Sequence, residues 1–128
     1  MEAIATPNFG FPVQWLAVGA LQLHLFERPD GPPKYHHVAF TVAEDAFPAL
    51  YRKVRAAAIT DSESFGHHLY ELPGDTAQLY VRDPSGNLLE LDAVGASRLP
   101  EDIRSDIRPL AHPQDAANLR ATLFLERP

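Results

Sequence analysis

Between Phe11 and Glu27 apolar and polar side chains alternate with the two-residue rhythm of a strand, and the rhythm breaks at Gly19-Ala20. The segment therefore predicts a β-hairpin. In its second arm Leu21, Leu23 and Leu25 share one face, and Gln22, His24 and Phe26 share the other. The run Arg28-Pro29-Asp30-Gly31-Pro32-Pro33 lacks the backbone donors of a central strand and predicts a connection. A further β-rich run spans Tyr35 to Val42. From about Asp45 to Ala58 the period changes: Phe47, Leu50, Tyr51, Val54 and Ala58 recur at helical spacing. Pro48 is tolerated there because it falls in the first turn.

Past the helix, Leu69 to Leu72, Ala77 to Arg82 and Leu88 to Val94 predict three more strands, joined by turns at Pro73-Gly74-Asp75 and Asp83-Pro84-Ser85-Gly86-Asn87. In the second turn proline presets φ and glycine permits the reversal that aims the next strand. The order from Tyr35 to Val94 is β-α-β-β-β. After Gly95, Pro100, Pro109 and Pro113 divide short amphipathic pieces. Glu101 to Ile107 and Gln114 to Leu119 each suit one or two helical turns, and Ala121 to Leu125 a short strand. The expected fold class is α+β: a domain over residues 1–94, in which a hairpin precedes a βαβββ module, and a C-terminal appendage over 95–128.

With 128 residues and 45% apolar content the chain suits one domain with a real core. Twelve prolines, mostly between the apolar segments, fit short elements joined by fixed turns. The absence of cysteine excludes disulfides, thiolate metal sites and a cysteine nucleophile. A net charge of −6 with scattered basic residues argues against nucleic acid and anionic membranes as partners. No apolar run approaches the roughly 18 residues of a membrane span. Met1-Glu2-Ala3-Ile4 lacks the basic and apolar pattern of a secretory signal, so a cytoplasmic setting is expected.

The segment Trp15-Leu16-Ala17-Val18-Gly19 leads into Leu21-Gln22-Leu23-His24-Leu25-Phe26-Glu27, and Tyr35-His36-His37-Val38-Ala39-Phe40-Thr41-Val42 follows. With the helix and the stretch Tyr80 to Leu91, this succession resembles the vicinal oxygen chelate superfamily. That group contains glyoxalase I, extradiol dioxygenases, and fosfomycin- and bleomycin-resistance proteins. The likeness spans about residues 3 to 94. It implies a cupped antiparallel or mixed sheet made by two βαβββ modules, around a divalent metal that takes ligands from the first and last strands of each module. Three of those four positions fall on His24, His37 and Glu90; the first has no counterpart. Residues 1–33 then correspond to a partial first module lacking its first strand and helix, and 34–94 to the second module. Such a half-module leaves a sheet edge open, and three outcomes follow: further residues upstream, completion by a homodimer, or loss of the complete site.

Strand neighbours point to opposite faces, so only one of His36 and His37 enters the cup, and the family pattern selects His37, directly before Val-Ala-Phe. Two imidazoles and one carboxylate suit zinc, nickel, manganese or Fe(II) and leave positions open for substrate. Their spacing alone would not mark a metal site. Glu90 by itself reads as an exposed strand carboxylate, whereas a Glu90 facing the cup requires a cation. The resemblance implies a metal-dependent enzyme of the glyoxalase (lyase) or dioxygenase type acting on a small oxygen-chelating substrate. The metal would chelate two neighbouring oxygens as a Lewis acid, with Glu90 or a metal-bound water as base. The alternatives are a metal-free ligand-binding protein of the bleomycin-resistance kind and a scaffold with an incomplete site. With one ligand missing, weak metal binding and little turnover are expected. His67 and His68 are expected at a solvent-exposed loop end, with substrate contact as the alternative. Tyr70, Tyr80 and Trp15 read as core or wall aromatics, and His112 has no evident role.

Overall fold

The computed structural model describes residues 1–27 and 36–123. The connection at 28–35, including Tyr35, and the far end of the strand expected at 121–125 lie outside them. In chain order the elements are β1 (Glu2–Ile4), β2 (Val13–Val18), β3 (Leu21–Phe26), β4 (His37–Thr41), α1 (Phe47–Ala56), β5 (Leu69–Leu72), β6 (Thr76–Arg82), β7 (Leu88–Val94), α2 (Glu101–Arg104) and β8 (Arg108–Pro109). They form an α+β fold with two sheets, one ordered β1-β2-β3 and one ordered β4-β7-β6-β5-β8. The hairpin and the βαβββ order match the alternation in the sequence. The short β1 and β8 carry too few residues for a pattern; each exists because a longer strand, β2 or β5, offers it a free edge. No described helix is long and apolar enough to cross a membrane.

Helix α1 buries Phe47, Tyr51 and Val54, one residue per turn, and carries Lys53 and Arg55 in its last turn, where cations complement the helix dipole. Its stripe covers one face of the larger sheet. Leu69, Ala77, Leu79, Val81 and Ala93 meet it there, joined by Leu99 and by Ile103 of α2. Because strand residues alternate, Gln78, Tyr80, Glu90 and Asp92 project from the opposite face, and all four are buried. That second face turns toward the smaller sheet.

A second core joins the sheets through Trp15, Leu72 and Ala121, flanked by Ile4, Phe9, Val13, Leu110 and Leu123. The segment after Gly95 is thus built into both cores. Side-chain bonds reinforce it: the Asn118 amide donates to the Thr6 carbonyl at 2.7 Å and the Gln22 amide to the Thr122 carbonyl at 2.7 Å. Of the two helices expected in it, the first is the single turn α2 and the second a 3-10 turn at Asn118–Arg120. His112 also finds a place, because its ring lies against Gly10. A Cβ there would come within 2.0 Å of the imidazole, and Gly10 has φ +79, so the contact needs glycine twice over.

The turn before β7 is fixed by Asp83, whose carboxylate accepts the backbone N–H groups of Ser85 and Asn87 and the Asn87 amide. Arg82 anchors its base by donating to Asp61 at 2.6 Å, to the Gly86 carbonyl at 2.7 Å and to Ser64 Oγ at 2.8 Å. This bracing sets the register in which Glu90 pairs with Tyr80 on one side and Ala39 on the other.

Candidate metal and substrate site

A cavity of about 610 Å³ opens between β3, β4 and β7, within the range of small-molecule sites. Its walls include His24 from β3, His37 and Ala39 from β4, and Glu90 and Asp92 from β7. All three residues singled out in the sequence therefore reach one cavity. His37 Nε2 lies 3.0 Å from Glu90 Oε2; His36, exposed just before the strand and so not bound by its alternation, also borders the cavity, against the expectation that only one of the two would reach it. The His24 ring stacks on its cross-strand neighbour Trp15, with centroids 4.1 Å apart and an interplanar angle of 7°. His24 Nε2, Glu90 Oε1 and Asp92 Oδ1 are buried with no hydrogen-bond partner apart from the contact the two carboxylates make with each other.

An unpartnered imidazole nitrogen beside two buried carboxylates is a donor set that a cation can use, and imidazole with carboxylate is the chemistry of zinc, nickel, manganese or iron. The donor types suit a divalent metal. The atoms are nevertheless spread: stacking holds His24 against Trp15 while His37 is drawn to Glu90. Among the described residues, the set of three histidine or carboxylate atoms lying within 4.8 Å of one another is instead His67, His68 and Asp106.

Burial drives His24 down to about 4; the Glu90 charge opposes this and the His37 charge adds to it, so the ring is neutral at neutral pH with a free lone pair. Burial raises Glu90, but the hydrogen bond and charge of His37, the Asp92 hydrogen bond and the His24 charge outweigh it and hold Glu90 below the usual carboxylate value. Burial, the Glu90 charge and the hydrogen bond to Glu90 push Asp92 up to about 10. The pair thus carries one negative charge, on Glu90, with a proton kept on Asp92. Beside it the buried Tyr80 hydroxyl donates to Gln78 Oε1 at 2.8 Å, and burial with the nearby carboxylates pushes it far up. Asp92 was not singled out in the sequence. The signal was there, since a residue two beyond Glu90 on one strand must share its face.

A smaller pocket of about 200 Å³ adjoins this wall, lined by Phe9, Phe11, Phe65, Tyr70 and Tyr80 among others. Phe65 stacks on Tyr80 at 4.5 Å and meets His37 edge-on at 6.0 Å, so Tyr80 and Tyr70 serve as wall residues and Trp15 as core. His67 and His68 correct the expectation of an exposed loop end. Both are buried, because the bends at residues 63–68 turn their rings toward Tyr51 of α1 and toward Asp106.

Two sheets around a cavity walled by imidazoles and carboxylates define a small α+β protein with a polar site between its sheets. Residues 9–91 match the model of the Glyoxalase/Bleomycin resistance protein/Dioxygenase superfamily, and the chain belongs to that superfamily. Similar solved structures include a putative glyoxalase family protein from Bacillus anthracis, 22% identical, covering 73% of this chain and 73% of its own, with a TM-score of 0.32. A lactoylglutathione lyase from Agrobacterium tumefaciens is 18% identical, with coverage of 71% and 75% and a TM-score of 0.35. The genomically encoded fosfomycin resistance protein FosX from Listeria monocytogenes is 19% identical, with coverage of 81% and 77% and a TM-score of 0.36. No curated protein matches the sequence.

Proposed function

We propose that this protein is a metal-dependent enzyme of the glyoxalase or dioxygenase type, acting in the cytoplasm on a small substrate with two neighbouring oxygens. The observation that carries the reading is the placing of His24, His37 and Glu90 on the walls of one cavity of the superfamily fold. His24, His37 and Glu90 would hold the cation. A divalent metal bound there supplies Lewis acidity toward both substrate oxygens.

The chain's own residues do the rest. Glu90, bonded through one oxygen to His37 and hydrogen-bonded to Asp92, is the carboxylate placed to accept a proton from substrate. The neutral Asp92 beside it keeps the pair from carrying two charges. Tyr80 and Phe65 wall the site toward the aromatic pocket and limit water there. We also infer a homodimer, supported by Leu21, Leu23 and Leu25 on β3 and Val38 and Phe40 on β4, all exposed on strands at the sheet edges.

The spread of the donor atoms and the direct His37–Glu90 contact favour one second reading, a metal-free ligand-binding protein using the same cavity. Assays with nickel, zinc, manganese or Fe(II) and methylglyoxal–thiol adducts or catechols separate the two. The enzyme reading predicts conversion that needs added metal and falls at least about a hundredfold in Glu90→Gln. Ligand retention with no metal-dependent conversion would establish the second.

A further inference from the structure

His67 and His68 are adjacent in sequence, yet both rings turn to one side and converge on Asp106 in the turn after α2. His67 Nε2 lies 2.7 Å from the Asp106 carbonyl oxygen and 3.6 Å from its Oδ1, and His68 Nε2 lies 2.8 Å from its Oδ2. One ligand atom from each of the three residues falls within 4.8 Å of the others. In a tetrahedral shell with bonds of about 2.0–2.2 Å, ligand atoms are separated by roughly 3.3–3.6 Å; the 3.6 Å between His67 and Asp106 Oδ1 matches this, and the 2.8 Å His68–Asp106 hydrogen bond has to open by about half an ångström to admit an ion.

The surroundings orient each donor. Ser62 Oγ is 3.1 Å from His68 Nδ1 and fixes that ring, leaving Nε2 as the inward atom. The Tyr51 hydroxyl donates to Asp106 Oδ2, and Arg55 Nε stands 4.0 Å from the same oxygen. Contacts of this kind, a polar group on the outer imidazole nitrogen and donors on the ligating carboxylate, hold ligands in place around metals. Both histidines are buried, while the Asp106 side chain keeps 27% of its exposure, which leaves a route in from solvent. The group sits beside α1, on the helix-covered side of the larger sheet, whereas the cavity described above lies on its other face.

We propose that His67, His68 and Asp106 form a second, separate binding site for a divalent transition metal of the zinc class. Two imidazole nitrogens and a carboxylate oxygen select such ions over magnesium or calcium, which favour all-oxygen shells. The Asp106 carbonyl provides a further oxygen donor. The bound ion ties the bend before β5 to the turn after α2, just ahead of the short β5–β8 ladder, so its role is structural.

The test uses the full chain, stripped with a chelator and titrated with Co²⁺, whose visible absorption reports nitrogen and oxygen ligation. Wild type is compared with the cavity variant His37→Gln/Glu90→Gln, which removes the other site. The cavity variant is expected to keep one Co²⁺ per chain and to melt at higher temperature with added Zn²⁺. Adding His67→Gln or Asp106→Asn lowers Co²⁺ affinity more than about tenfold, and Ser62→Ala lowers it by about tenfold or less. Should a variant fail to fold, Zn²⁺ titration of the wild type followed by imidazole NMR reads the site directly, with the His67 and His68 ring signals expected to shift. A cavity variant that binds no Co²⁺, or wild-type His67 and His68 signals unmoved by Zn²⁺, overturns the proposal and leaves a hydrogen-bonded latch only.

Discussion

Glu90 and Asp92 occupy the same face of one strand and differ only in their partners, and this sets their charge. His37 stabilises the ionised form of Glu90, whereas Asp92 has burial and a neighbouring anion and stays protonated. Glu90→Gln keeps an acceptor for His37 while removing the charge a cation needs. It is expected to lower divalent-metal affinity in the cavity by about a hundredfold, read by calorimetry, and to change unfolding free energy by no more than about 1 kcal/mol. At this scale the sequence was only partly legible. His24 and Glu90 entered through the family resemblance, since neither spacing nor periodicity marks them. Asp92 was readable from strand alternation alone. The turn of His67 and His68 toward Asp106 was not, because it depends on a bend and on a partner 38 residues away.

At the level of elements, the brace under the turn before β7 has a pH signature. Burial raises Asp61, but bonds from Ser64 and Arg82 outweigh it and hold its carboxyl below the usual value. The folded pKa is therefore lower than the unfolded one. The stability this group contributes is fully present above the ordinary Asp value of about 3.9 and is lost as pH falls through the lower folded value. Asp61→Asn is expected to cost about 2 kcal/mol at pH 7, with the gap from wild type closing below pH 4 in urea melts. Gly10 offers a second test. Gly10→Ala meets both a positive φ and the His112 ring, and is expected to destabilise by about 1–3 kcal/mol, of which Gly10→Ala/His112→Ala recovers only the steric part. Elements with a strong period, the hairpin, α1 and the strands from Leu69 to Val94, were legible because their burial pattern is local. The packing of the tail was not, since Ala121 and Ile103 gain their burial from segments far away in sequence.

For the whole molecule, the two sheets meet around a cavity whose neighbouring strands β3 and β4 are both sheet edges bearing exposed apolar side chains. Leu21 is 69% and Val38 57% exposed, apolar surface at the sheet edges that a second chain would cover in the proposed homodimer. Light scattering is expected to return twice the mass of one 14.2 kDa chain at micromolar concentration, and Leu23→Lys to shift it toward one. The proposed function requires that the cavity hold a metal. The most direct measurement is an anomalous difference map at the zinc edge from crystals grown with Zn²⁺. The predicted result is a peak within about 2.0–2.2 Å of nitrogens of His24 and His37 and an oxygen of Glu90. A cavity without a peak, at a zinc concentration that saturates the protein in solution, would contradict it.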